Sequence, residues 1–333
     1  MINFADFLRQ LVPLYLIAIF LATNPAQAQN VKIKMGAGSS PPILDTITPY
    51  VAVEKGFFKK YGLDVEIVEF RGDVVATKAL LANDIDVLLN VGATSAIVSA
   101  SQGAKIHTWL VPHPVTPYHF VARKEVGTIR GLAGKTIAVS GIGAVSYHLP
   151  RIIMERNGLD PEKATYVVAG SNADRFRAMI SGKADAAMVS TIEAAKLDSF
   201  PDLVNLVVVA KVVPEIPFIF SIAREDYIQK NPETMYRLTK AVIETTRWIA
   251  TNKAGTVEVA AKVIPDEKPE VISKAYDLAD PRVWGVNGDI SEAAYKYTVD
   301  FLLKVGFMKD PISYDKLFDR RFVDRTLKEL GRK

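Results

Sequence analysis

Four histidines are the obvious candidates for chemistry: His107, His113, His119 and His148. Two of them share one segment, His113-Pro-Val-Thr-Pro-Tyr-His119, but the intervening prolines prevent a common helical or strand face, so no metal ligand pair is expected there. There is no cysteine, which removes thiolate nucleophiles, thiolate metal sites and disulfides. No serine stands in a nucleophile elbow. Ser140-Gly141-Ile142-Gly143 is a glycine-bearing turn, but Ser146 stands where a dinucleotide fingerprint needs its third glycine, and no acidic ribose partner is placed. No catalytic residue, metal or cofactor is expected. What remains suits binding. A helix beginning near Ala144 and another opening at Val91–Ser95 present unpaired backbone N–H groups and the positive end of a helix dipole, with Thr94 and Ser95 adding hydroxyls. Arg71 is the one cation on a candidate ligand loop, and a solvated charge paired with Asp73 or Glu69 accounts for it better than ligand contact. Tyr118, Tyr147 and Phe218 could form an aromatic wall or belong to the core, and Glu193 could hold a cationic group or cap a helix.

These residues sit at recognisable places in an alternating pattern. Val31–Met35 reads as a first strand, followed by a loop of small residues, Gly36–Pro42, and a helix over Leu44–Glu54. In Val51–Phe70 a helix ends, Gly56 and Gly62 supply positions that require positive φ, and Val65, Ile67 and Val68 mark a strand. Asp73 is expected to cap a helix over Val74–Ala82, with Asn83 ending it in the left-handed region. Asp86–Asn90 and Ile106–Val111 are further strands. Strands and helices alternating at this spacing predict mostly parallel sheets with helices on both faces. Ligands of such sheets lie beyond the carboxyl ends of the strands, which selects Gly36–Pro42, Arg71–Asp73, Val91–Ser95 and Pro112–Pro117.

The pattern then restarts. Tyr118–Arg123 is a strand reached through prolines, and Gly131–Ser140 begins a second unit. Asn157-Gly158-Leu159-Asp160 echoes Tyr61-Gly62-Leu63-Asp64, and Ala79–Asp86 lies ninety-nine positions before the similar Ala178–Asp185, as internal duplication would give. Gly141–Tyr147 and Ser190–Glu193 are the strand-end loops of this second unit. Val204–Lys211 reads as a strand, and Pro214–Pro217 as a rigid passage into Phe218–Arg224, which resembles Phe120–Arg123; the chain therefore crosses between two lobes twice. Beyond it, Asn231-Pro232 opens a helix that buries Met235, Leu238, Val242 and Ile249. Helices over Ser291–Val305 and Tyr314–Leu330 should return to brace the first lobe. The expected organisation is residues 29–116 plus 218–333 for the first lobe and 117–217 for the second.

Length and composition agree. The 333 residues suffice for two domains, and 49% hydrophobic with 23% charged residues is ordinary for a globular protein. The net charge of +4 is spread along the chain with no basic run interleaved with aromatics, which gives no sign of a nucleic-acid partner. Residues 1–28 read as a secretory signal peptide: a short polar start ending at Arg9, the apolar stretch Leu11–Thr23, and small residues in Ala26-Gln27-Ala28 before a cleavage site after Ala28. The apolar stretch is shorter than the ~20 residues that span a bilayer. Without cysteine there is no lipid anchor, so a freely diffusing periplasmic protein is expected.

Together these motifs carry a resemblance. Glu54-Lys-Gly-Phe-Phe-Lys-Lys-Tyr-Gly-Leu-Asp-Val65 resembles the helix–glycine–strand corner of periplasmic solute-binding proteins of ABC transporters, in the branch for nitrate, alkanesulfonates, taurine and thiamine-pyrimidine precursors. Leu132–Val139 is similar to the start of that family's second lobe, and Asn157–Asp160 and Gly182–Ala186 also fit. The resemblance spans the chain after residue 28. It implies a two-lobed α/β periplasmic binding fold of type II-like topology, with two mostly parallel sheets and two crossover strands, that closes on a small molecule and delivers it to a membrane permease and its ATPase. No enzyme activity is implied, since the pyrimidine synthases of the superfamily use a cysteine-rich motif that is absent here. Ligand positions carry over to matching loops: Ser39 and Ser40, Thr94 and Ser95, Gly143, Val145, Ser146 and Tyr147, Ser190 and Thr191, and the crossover at Ile216. With Arg71, Asn90, His113, Tyr118, Glu193 and Phe218 these make the expected ligand site, for a small polar or anionic organic molecule and a monomeric receptor. A receptor of an ion-driven TRAP-type transporter and an exported enzyme on the same fold are the alternatives; a transcriptional regulator would need a helix-turn-helix where the signal peptide stands.

Overall fold

The computed structural model describes residues 30–264 and 266–333; the expected signal peptide lies outside the described residues. Among the described residues, ten strands form two five-stranded sheets. The first holds β1 (Val31–Ala37), β2 (Leu63–Glu69), β3 (Val87–Gly92), β4 (Ile106–His113) and β10 (Ile219–Arg224), in the order β2-β1-β3-β10-β4. The second holds β5 (His119–Arg123), β6 (Thr136–Val139), β7 (Thr165–Val168), β8 (Ala186–Val189) and β9 (Leu203–Val208), in the order β7-β6-β8-β5-β9. In each sheet the strand that arrives from the other one, β10 or β5, is inserted antiparallel between its neighbours, while β1 with β2 and β3, and β6 with β7 and β8, pair in parallel. The result is a two-lobed α/β architecture, and it matches the expected fold class.

Local signals explain most elements. Gly56 and Gly62 adopt φ of 74° and 67°, and Asn83 a φ of 66°, the three left-handed positions the sequence requires. The first lobe's core lies on both faces of its sheet, with Ile33, Met35, Leu89 and Trp109 against Met235, Leu238 and Val242 on one side and Leu88, Val91 and Phe220 against Tyr295 and Leu302 on the other. The long helix Pro232–Ile249 buries the face expected of it.

Several boundaries differ from expectation, each for a local reason. The expected Leu44–Glu54 helix is a 3-10 turn, Leu44–Thr46, followed by a helix over Thr48–Glu54; Pro49 has no N–H to return to the Asp45 carbonyl, so one continuous helix cannot form. Asp73 is the first helical residue of Asp73–Leu81 rather than its cap, which is Gly72 at φ 117°; its carboxylate turns away to Ser95, 2.9 Å from the hydroxyl. Val91–Ser95 and Ser190–Glu193 are not loops: β3 runs straight into the helix Ala93–Ser101, and β8 reaches the helix Thr191–Ala195 through Ser190 alone. The expected Val204–Lys211 strand stops at Val208, where the Val209 amide bonds the Tyr118 carbonyl and a helical turn, Val209–Val212, begins. Tyr314–Leu330 breaks into Tyr314–Leu317 and Arg321–Leu330, because Phe318 bridges to Thr108 and the Asp319 amide bonds the Thr108 carbonyl. Two helices without individual sequence signals, Lys253–Val263 and Pro269–Leu278, carry Val259, Ala260, Ile272 and Ala275 into a cluster that also holds Leu44 and Ile47 of the first lobe and Ile192 and Ala195 of the second. This apolar seam holds the lobes together on one side. No helix among the described residues is long and apolar enough to cross a membrane.

Candidate functional site

The lobes meet at the carboxyl ends of their strands. At this junction the Asp45 carboxylate, from the turn after β1, accepts the Thr191 hydroxyl at 2.8 Å and the Thr191 amide at 3.4 Å across the gap. Asp45 is fully buried, and burial raises its pKa to about 7 against the opposing pull of those two hydrogen bonds. Asp73 is similarly pushed upward by burial, moderated by Ser95 and the Gly92 amide. The Asn90 side-chain amide donates to the Thr46 carbonyl at 3.1 Å, and Ser39 and Thr46 hydroxyls lie 3.2 Å apart.

Aromatic residues close the other side. The His113 ring lies edge-on to Phe218 at 6.5 Å and to Trp284 at 5.8 Å, and Tyr118 meets Phe218 at 5.2 Å between centroids. His113 Nδ1 lies 3.1 Å from the Val283 carbonyl, which can only accept, and burial lowers the ring's pKa to about 4. The neutral imidazole therefore carries its proton on Nδ1 and presents Nε2 as an acceptor. The Arg175 guanidinium stacks 5.7 Å from the Tyr118 ring and is 1% exposed. Arg175 and the carboxyls of Asp45 and Asp73 all lie close enough to act on the Tyr118 phenol, whose pKa burial raises.

The expected site residues divide into two groups. Asn90, Thr94, His113, Tyr118, Ser190, Thr191, Glu193 and Phe218 are buried, and the hydroxyl of Thr94, Oδ1 of Asn90 and Nε2 of His113 find no hydrogen-bond partner among the described residues. Ser190 caps its helix through the Ile192 amide and donates to the Glu193 carboxylate. The second group has structural employment. Ser40 donates to Glu69 at 2.9 Å on the edge strand. Arg71 is exposed, and its suggested partners are engaged elsewhere, Glu69 with Ser40 and Tyr50 and Asp73 with Ser95. Ser95 is the partner of Asp73. Ser146 accepts the Ser140 amide at 2.9 Å and fastens the end of β6. Val145 and Ile216 belong to the second lobe's core, and Tyr147 packs on Tyr166, Phe307 and the Arg151 guanidinium. Gly143 has φ 85° and lies so near Phe307 that an added Cβ would sit 2.5 Å from that ring. The start of the Val145–Arg156 helix is thus packed against Phe307 and the end of β6. His113 and His119 are in different sheets, and His119 Nδ1 is 2.8 Å from Asn205.

Asp45, Arg175 and Trp284 were not singled out by sequence, and Asp73 only as a helix cap at the end of the Arg71–Asp73 loop. Asp45 carried one signal: a carboxylate inside the apolar run Ile43–Ile47 needs a buried partner. Arg175 had none, since it reads as a surface charge on an amphipathic helix opened by the Ser171–Asp174 capping box.

The family model described as NMT1/THI5 like matches residues 44–254. A relative named as a binding protein, YtlA of Bacillus subtilis (strain 168), is 23% identical over 287 residues, 84% of this chain and 86% of its own. Among solved structures, the periplasmic nitrate-binding protein NrtA from Synechocystis PCC 6803 superposes with a TM-score of 0.75 at 15% identity, covering 90% of this chain and 89% of that one. The periplasmic sulfonate-binding protein SsuA of a sulfonate ABC transporter, from Methylobacillus flagellatus KT, superposes with a TM-score of 0.70 at 17% identity, over 91% and 96%. At these identities the structural likeness concerns the fold.

Proposed function

The chain belongs to the NMT1/THI5-like family, and on that premise we propose that it is the extracytoplasmic solute-binding receptor of an ABC importer, capturing a small polar organic molecule between its lobes. One observation carries the reading. Asp45 at the strand ends of one sheet is bonded to Thr191 at the strand ends of the other, so the two ligand-bearing edges of an α/β sheet face each other across a single junction. The lobes are 29–116 with 218–333, and 117–217, joined by the segments between β4 and β5 and between β9 and β10. The ligand is held by Asn90, Thr94, His113, Tyr118, Thr191 and Phe218. A ligand touching both lobes favours the closed hinge, because only that arrangement gives it both sets of contacts. The receptor works as a periplasmic monomer, cleaved after Ala28, and passes its ligand to a permease and ATPase without altering it.

A thermal-shift panel of sulfonates, nitrate, small carboxylates and pyrimidines on the chain from residue 29 tests this. A ligand at ~100 times its Kd adds about 2.7 kcal/mol of stability, or roughly 4 °C for a chain of this size. Turnover of a bound compound would replace the receptor with an enzyme.

A further inference from the structure

Two helices that follow the long one touch a different lobe each. The first, Lys253–Val263, is fastened to the first lobe. Glu258 accepts from Lys55 at 2.9 Å, Lys262 reaches Glu54 at 2.5 Å, and Val259 and Ala260 share a buried cluster with Leu44 and Ile47. The second, Pro269–Leu278, lies along the helix Thr191–Ala195 of the second lobe, with Ile272 and Ala275 in one cluster with Ile192 and Ala195. Two ion pairs cross beside it. Lys196 of the second lobe meets Glu267, which stands between the two helices, and Lys274 meets Asp198. Tyr276 ties the second helix to the long one by donating to the Ile249 carbonyl at 2.6 Å, and its ring stacks on Trp284.

The lobes also touch at a second boundary, which is built differently. There a groove of about 240 Å³ separates the helix Val145–Arg156 from Glu292–Lys304. It is bridged by Lys304 to Glu155 at 2.7 Å and by Arg156 to the Tyr297 hydroxyl at 2.8 Å. Arg156 also holds Glu215, at 3.1 Å, on the segment that crosses between the lobes. A boundary that contains the crossing segment keeps its contacts when the lobes rotate about it. The contacts of Pro269–Leu278 with the second lobe are parted by the same rotation.

We propose that residues 253–278 form a clasp: the first helix is its fixed root, and the second is an arm that grips the second lobe and makes closure the resting arrangement of the receptor. The inference rests on the two-lobed receptor reading and adds to it a device for holding the lobes. It is independent of which ligand the junction takes. A hinge already biased toward closure requires less of a ligand's contact energy to close it. The apolar contacts of Ile272 and Ala275 supply most of the grip. The ion pairs aim the arm, since pairs open to solvent each contribute little.

The chain has no cysteine, so Val74→Cys and Ile142→Cys place two spin labels cleanly, one in each lobe, at positions 67% and 59% exposed. Pulsed electron resonance on the labelled chain from residue 29 should give one dominant, short separation. Lys196→Glu with Lys274→Glu sets like charges against Glu267 and Asp198. It should lower the ratio of short to long separations at least about tenfold at low salt, and by less in ~1 M salt. Adding Glu267→Lys and Asp198→Lys should restore the short separation. If the doubly reversed variant fails to fold by circular dichroism, Lys274→Glu alone, on a pair open to solvent, should lower the ratio about threefold. A reversal that leaves the distances unchanged overturns the clasp, as does a reversal that the exchanged pairs do not repair. A dominant long separation in the unreversed chain, shortened by nitrate or 1-propanesulfonate, removes the clasp and leaves the receptor standing. One separation, unmoved by charge reversal and by every compound of the ligand panel, removes the hinge and the receptor reading with it.

Discussion

The two lobes share one plan and part company at their facing edges. Asp86 accepts the Lys34 amide at 2.8 Å, and ninety-nine residues later Asp185 accepts the Thr136 amide at 2.8 Å. Each thereby ties the turn before one strand, β3 or β8, to that strand's parallel neighbour, β1 or β6. Asn83 and Gly182 hold the same left-handed position, at φ 66° and 72°. Arg224, on the strand entering the first sheet, donates to the Leu80 and Ile85 carbonyls, and Arg123, on the strand entering the second, donates to the Met179 carbonyl. The strand orders correspond position by position. What differs is the polar lining. The first lobe presents Asp45, Asn90 and His113, the second Thr191, Glu193 and Arg175. The frame fixes where a side chain stands, and the residue placed there decides what it offers.

The largest expected effect strains both lobes at once. His113, His119 and His148 are buried, and desolvation lowers each pKa from 6.5 to about 4. Protons are therefore taken up by the unfolded chain first, and stability is lost as pH falls from 6.5 toward 4. Each histidine contributes up to about 3 kcal/mol over that range. Urea melts at pH 7 and pH 4.5 should show it, and His148→Gln should flatten the dependence; an unchanged midpoint would show that these rings are not neutral and buried together.

Asp45 acts in the opposite sense. Its pKa rises from 3.8 to about 7 at the junction, so its contribution is most favourable at low pH, and a penalty grows as pH rises from about 4 to 7. Asp45→Asn removes the charge, so the stability of the variant minus that of the wild type should rise across that window, by as much as about 4 kcal/mol. A difference independent of pH would place the carboxyl in solvent and the lobes apart.

The shared frame can be probed by matched substitutions. Asp86→Ala and Asp185→Ala each leave a strand amide without its acceptor and should cost about 1–2 kcal/mol apiece, with near-additive loss in the double variant because they are in separate lobes. Unequal costs would mean that the two turns are not equivalent. The smallest effect is expected from exchanging the left-handed residues: Asn83→Gly and Gly182→Asn should each change stability by less than about 1 kcal/mol, whereas Gly182→Val should cost more than that, by thermal melts.

Much of this frame was legible without coordinates. The ninety-nine-residue repeat, the glycine and asparagine turns and the alternation of strand and helix are set by local sequence, because φ preferences and hydrophobic period act within a few residues. That gave two lobes, two crossings and the strand ends as the place for a ligand. It also pointed to Asn90, Thr94, His113, Tyr118 and Thr191 as polar or aromatic residues at such ends. Tertiary structure decided the rest. The turn before the Val145–Arg156 helix packs against Phe307, 160 or so positions further on, a contact that no local spacing announces. Asp45 sits in an apolar run that asks for a buried partner without naming Thr191 of the second lobe, and Arg175 looks like a surface charge until Tyr118 lies over it. Whether a polar side chain serves packing or a ligand depends on which distant segment desolvates it, and one-dimensional spacing holds no record of that.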